Sequence, residues 1–64
     1  MKLIELIDKC FKKDKTIKDL KFKFEGFEFY ISNYKICYKN HFGFERELKS
    51  IDIYKLNSKI EEVE

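Results

Sequence analysis

The chain contains no alanine, glutamine, proline or tryptophan, and it carries one arginine against thirteen lysines. Its abundant residues are Lys, Ile, Phe, Tyr, Glu and Asn, a bias that fits an AT-rich genome, so lysine richness alone says little about function. Two glycines, Gly26 and Gly43, are too few and too far apart for a glycine-rich phosphate loop. Cys10, Cys37 and His41 are the only Cys or His residues, and no Cys-x-x-Cys pair occurs. A zinc site normally draws four such ligands from short paired spacings, so no metal ligand is assigned. No stretch approaches the roughly 18 apolar residues of a membrane-spanning helix. The apolar N-terminal run is broken by Glu5 and Asp8, which is unlike a secretory signal. Cytoplasmic residence is the resulting expectation, and two cysteines in that compartment read as free thiols.

At 64 residues the chain is expected to form one domain, residues 1–64. A chain of this size buries only about 60% of its unfolded surface. Aromatic residues make up 17% of it, and each buried ring removes on the order of 150–250 Å² from water, which compensates for the short length. The net charge of +2 is unevenly spread. Residues 1–24 hold eight lysines and four acids, residues 25–39 balance, and residues 40–64 hold four bases and six acids. That dipolar distribution is not the profile of a dedicated nucleic-acid binder.

What the chain does have is concentrated between Leu20 and Phe44, where six of the seven phenylalanines and three of the four tyrosines lie. Apolar residues there fall on alternate positions, the period of a strand that buries one face. Leu20, Phe22 and Phe24 are followed by Phe27, Phe29 and Ile31, then Tyr34, Ile36 and Tyr38, then Phe42 and Phe44. Glu25-Gly26, Ser32-Asn33 and Lys39-Asn40-His41 separate the runs and read as turns. A bulged turn at Gly26 is an open alternative. These loops oppose Phe24 to Phe27, Ile31 to Tyr34 and Tyr38 to Phe42, keeping all four apolar sets on one face. The last strand is expected to run from Phe42 to about Leu48, with Arg46 marking the sheet margin.

Residues 2–14 read as an amphipathic helix with a broad stripe of Leu3, Ile4, Leu6, Ile7, Cys10 and Phe11. Glu5 with Lys9 and Asp8 with Lys12 are acid-before-base pairs four apart. Ser50 as N-cap and the spacing of Ile53, Leu56, Ile60 and Val63 predict a second helix, although Ile51 and Ile53 also allow a strand continuing to Tyr54. The three acids Glu61, Glu62 and Glu64 sit poorly at a helix C-terminus. The expected fold is α+β: N-terminal helix, four-stranded antiparallel meander and C-terminal helix, with both helices sealing the aromatic face.

Chemistry has few candidates. Cys37 and His41 are four apart, but no third group stands out to orient an imidazole, and no catalytic residue or cofactor is assigned. Cys37 is expected to point out from the polar face, and Cys10 into the core. The polar face also carries Lys21, Lys23, Lys35 and Lys39 around Tyr30, the ingredients of a single-stranded nucleic-acid platform, but with one aromatic and with Glu25, Glu28 and Glu45 interspersed. Protein binding is the preferred class. Tyr30, Glu45, Glu47 and Asp52 are its candidate contact residues, with the edge formed by Phe42–Leu48 and the acidic C-terminal half offered to a basic partner. In length, AT-rich composition and lack of catalytic motifs the chain resembles the small proteins of bacteriophages and mobile elements, anti-CRISPR proteins among them. No motif carries that resemblance, so no residue role is transferred. It implies a non-enzymatic inhibitor of a bacterial host or defence protein, acting in a bacterial or infected host cell; a homodimer is a further expectation of the protein-binding reading itself. A small nucleic-acid-binding regulator is the alternative.

Overall fold

Turn chemistry builds the sheet. In the computed structural model, which describes residues 1–63, Glu25 and Gly26 have φ of 54° and 80°, as a two-residue primed turn requires. They join β1 (Lys21–Phe24) to β2 (Phe27–Ser32) and set Phe24 opposite Phe27, as the sequence predicts. The next turn is displaced by one residue. Asn33 and Tyr34 take φ of 52° and 59°, so Ile31 faces Ile36 rather than Tyr34 at the start of β3 (Lys35–Lys39). The displacement changes the pairing register by two, an even number, so every side chain of β3 stays on the expected face.

The third turn departs further. Asn40 accepts from the N–H groups of Phe42 and Phe44 at 3.0 Å each, and its own carbonyl accepts from the Gly43 N–H at 2.9 Å. With Gly43 at φ 80°, this is the four-residue turn closed by a left-handed glycine that often joins antiparallel strands. Phe42 therefore sits at a turn tip and Phe44 just before β4, which is Glu45–Glu47 rather than Phe42–Leu48. Tyr38 faces Arg46, not Phe42.

The first helix, α1, spans Leu3–Phe11 and stops short of residue 14. Lys13 turns left-handed at φ 53°, and the Asp14 and Lys13 N–H groups donate back to the carbonyls of Lys9 and Cys10 at 3.0 and 3.2 Å. That pair of bonds is the Schellman arrangement, usually made with glycine at the left-handed position. Lys12 pairs with Asp8 at 3.1 Å, whereas Lys9 turns to Asp14 at 3.8 Å instead of Glu5. The Glu5 carboxylate instead accepts from the Lys2 N–H at 3.4 Å.

No C-terminal helix forms. Asp52, not Ser50, caps a single 3-10 turn (Ile53–Lys55) by accepting from the Tyr54 N–H at 3.1 Å. The chain then runs extended into β5 (Glu61–Val63), which pairs antiparallel with β1. Hydrogen bonding explains this outcome. The first N–H groups of α1 lack partners within the helix. Leu3 and Ile4 donate instead to the carbonyls of Ser58 and Leu56 at 2.8 and 2.9 Å. The Ile60 N–H donates to the Met1 carbonyl at 3.0 Å, and Lys2 and Lys59 form a bridge. A helix through residues 56–62 would consume those groups internally. The strand also escapes the unfavourable meeting of acidic residues with a helix C-terminus, and it sets Glu61 opposite Lys23.

The result is a five-stranded antiparallel sheet in the order β4-β3-β2-β1-β5 with α1 packed against it. The core comprises Leu3, Leu6, Ile17, Phe22, Phe24, Ile31, Ile36 and Ile60. Ile17 enters from a second 3-10 turn, Lys15–Ile17, capped by Asp14. Phe22, Phe29 and Tyr38 lie side by side across three strands, with ring centroids 5.6 and 6.1 Å apart. They share one face, but the seal over it is incomplete: Phe27 is 69% exposed and Phe44 64%, and Phe42 at the turn tip is 79% exposed. The helical stripe is also narrower than expected, since Phe11 is exposed.

Two stability measurements check this account. Phe22→Ala and Ile60→Ala should each cost about 2–5 kcal/mol in urea unfolding, whereas Phe42→Ala should stay within about 0.5 kcal/mol. Lys13→Gly should raise stability by about 1 kcal/mol, because glycine takes the left-handed position without a Cβ clash; a loss would contradict the assigned helix end.

Candidate protein-interaction surface

The sheet presents two surfaces of different character. On the face away from α1, alternation places Lys21, Lys23, Glu28, Tyr30, Lys35, Cys37, Lys39, Glu45, Glu47 and Glu61 together. The four candidate nucleic-acid lysines are thus brought to one surface. Two of them have acids as neighbours: Lys23 lies between Glu28 and Glu61, and Lys39 lies opposite Glu45, whereas Lys21 pairs with Tyr30 and Val63, and Lys35 with Ser32. Four lysines meet four glutamates, so the face is a charge-balanced lattice rather than a basic track.

Tyr30, Glu45 and Glu47 also assemble here. The Tyr30 hydroxyl donates to Glu45 Oε1 at 2.7 Å. Tyr30 belongs to β2 and Glu45 to β4, so the phenol reaches across the whole width of β3. The residue paired directly with Tyr30 is Cys37, which is only 4% exposed although it lies on the polar face. The sequence expectation of a thiol pointing out from the polar face is therefore corrected in part: the side of the sheet is as expected, but Cys37 is buried beside Tyr30. Burial pushes the Cys37 thiol up, and the charges of Glu45 and Glu47 push the same way. An activated thiolate needs the opposite shift. His41 is exposed in the turn beyond, with its ring 5.5 Å from that of Phe42. Cys10 is half-buried on α1, its thiol also raised by burial, and both cysteines are free.

The candidate Asp52 and the acid Glu25, expected on the polar face, go elsewhere. Asp52 is occupied as a turn cap, away from the Tyr30 group. Glu25 leaves the polar face to pair with Lys55 at 2.9 Å, tying the 3-10 turn to the first hairpin and holding the lysine charged to higher pH. Among the described residues no cluster of three or more Cys, His, Asp or Glu side chains could hold a metal ion, and no helix is long and apolar enough to cross a membrane.

The second surface was not anticipated. Where α1 does not reach, the apolar face lies open. Phe27 and the half-buried Phe29, Tyr38 and Leu48 line a shallow groove there. Phe44 lies next to β4, bonded through its carbonyl to the Asn40 N–H of the adjoining strand. A signal for part of this was present: Asn40-His41-Phe42-Gly43 is a turn sequence, and reading it so removes Phe42 from the strand and from the core. That Phe27 and Phe44 stay uncovered follows only from the missing second helix.

Hydrogen bonding to Glu45 is the main cause that pushes the Tyr30 phenol up to about 12. A group whose pKa rises on folding contributes stability below its ordinary range and loses it as pH climbs through the raised value. Subtracting a phenolate absorbance titration of Tyr30→Phe from that of the wild type should leave one transition centred near 12. Glu45→Gln should move it down. In a Cys10→Ser background, Tyr30→Ala should speed modification of Cys37 by a thiol reagent several-fold; an unchanged rate would mean the ring is not the cover.

Compared with known proteins, the chain matches no family model, no curated protein and no solved structure, so this surface is interpreted from its own geometry.

Proposed function

We propose that the protein is a non-enzymatic protein-interaction module, and that the open aromatic end of its sheet is the surface a partner protein covers. The supporting observation is Phe27 and Phe44 standing exposed on the face that also carries the half-buried Phe29 and Tyr38. Contiguous apolar surface of this kind marks interaction sites, and aromatic side chains concentrate at interfaces. Total area agrees. A compact monomer of 7.9 kDa is expected to expose roughly 4,400 Å². This chain exposes 5284 Å². The excess is close to the roughly 800 Å² that one partner of a standard interface buries.

Such a module would act as the inhibitors of phages and mobile elements do, by occupying a surface of a bacterial host or defence protein in an anti-CRISPR-like manner, as a monomer or as a homodimer. The charge-balanced lysine face and the raised Cys37 thiol favour this reading over nucleic-acid binding or nucleophilic catalysis.

The test is a pull-down from bacterial lysate, paired with sedimentation of the purified protein. A stoichiometric partner, or a dimer, should be lost with Phe27→Glu combined with Phe44→Glu. It should persist when Lys21, Lys23, Lys35 and Lys39 are changed to Glu. Nucleic-acid retention that falls steeply with salt and with the lysine changes would support the alternative instead. Neither partner nor dimer depending on Phe27 and Phe44 would sink the proposal.

A further inference from the structure

The outer edge of β4 has no neighbouring strand. The Leu48 N–H donates to the Ile36 carbonyl at 2.8 Å, and the Asn40 N–H donates to the Phe44 carbonyl at 3.0 Å. Phe44, Arg46 and Leu48 therefore turn their backbone groups inward to β3. In an antiparallel ladder the alternate residues face the other way. Glu45 and Glu47 accordingly present their N–H and C=O groups to the open edge. The opposite edge offers less. On β5, Val63 and Glu61 pair with Lys21 and Lys23, the Ile60 N–H is taken by the Met1 carbonyl, and only Glu62 turns outward.

Charge specifies what fits. Glu45 and Glu47 project on one face of the sheet, with Arg46 on the other. Tyr30 holds Glu45 by Oε1, which leaves Oε2 open to a cation. Within the chain Glu45 faces Lys39 and Glu61 faces Lys23, whereas Glu47 faces Cys37 and has no cation opposite it. Continuing that lattice outward from β4 calls for basic residues at alternate positions of an incoming strand.

We propose that β4 receives an extended, basic segment of a partner protein, a strand with lysine or arginine at every second position, which pairs its backbone with Glu45 and Glu47 and sets its cations against their carboxylates. A second copy of this chain does not fit. Antiparallel pairing of β4 with itself sets Arg46 against Arg46 and Glu45 against Glu47, and shifting by one pair sets a glutamate against its own counterpart. Like charges directly opposite are destabilising. The inference goes beyond the aromatic surface, since the edge and the open face are altered by different substitutions.

The probe is a synthetic peptide alternating lysine and threonine, titrated into the full chain at low salt and followed by amide shifts and hydrogen exchange. It should bind with a Kd below about 1 mM. It should slow exchange of the Glu45 and Glu47 amides while leaving Arg46 unchanged. Glu47→Lys, which disturbs no hydrogen bond in the structure, and Glu45→Lys should each weaken binding about tenfold. A peptide of the same charge, N-methylated on alternate amides, should fail to bind at the edge. Binding without protection of those two amides, or equal binding of the methylated peptide, would overturn strand addition in favour of diffuse charge attraction. No binding at all would overturn it outright. Concentration-dependent protection of the same amides without peptide would assign the edge to a second copy. The phenylalanine substitutions should leave peptide binding intact, so failure here and failure of the aromatic surface are read separately.

Discussion

The two ends of the chain meet at the first turn of α1, and most of the architecture depends on that meeting. A short helix has N–H groups at its start that need partners, and here the carbonyls of Leu56 and Ser58 supply two of them. The reciprocal bond from Ile60 to Met1 holds the C-terminal segment extended. Once extended, it lies beside β1 and becomes β5, which moves β1 from an edge into the sheet interior. Phe22, on that strand, is then almost fully buried, flanked by β2 and β5 and covered by the N-terminal segments.

The same arrangement leaves the rest of the apolar face short of cover. One nine-residue helix does the work expected of two. It reaches the rows around Phe22, Ile31 and Ile36, and it does not reach Phe27 or Phe44. Small chains are often completed by a metal, a disulfide or an associating partner. In this one the two thiols are unpaired and the open surface is aromatic, which is the physical case for completion by another protein. The opposite face needs no such completion. Lysines and glutamates alternate there from Glu61 through Lys23 to Glu28, and again from Lys39 to Glu45, while Tyr30 reaches over the strand that carries Cys37 and leaves Val63 as an apolar residue at the far margin.

Legibility of the fold varied with the range of the determining interaction. The first hairpin was read to the residue because Glu25-Gly26 carries its own turn chemistry. The second slid by one residue, since Asn33 accepts a left-handed conformation as either member of the turn. Faces survived both this slip and the longer third loop because the register errors were even. The helix end at Lys13 was not legible, as lysine has no preference for the left-handed region that it occupies. Of the candidate contacts, Tyr30, Glu45 and Glu47 came together through strand alternation, whereas Asp52 was lost to a local cap that its own residue type announces.

Alternation and turn residues, which act over a few positions, determined by themselves that residues 20–39 form antiparallel strands with one apolar face, and helical spacing within residues 2–14 determined that a helix suited to cover it precedes them, though not where that helix ends. Whether residues 56–63 would coil or extend was decided only in three dimensions. Their apolar spacing suits a helix, but the unpaired N–H groups of α1 and the open edge of β1 exist only once the distant N-terminal half has folded. That long-range competition for backbone hydrogen bonds also decided which phenylalanines are buried and which are left exposed.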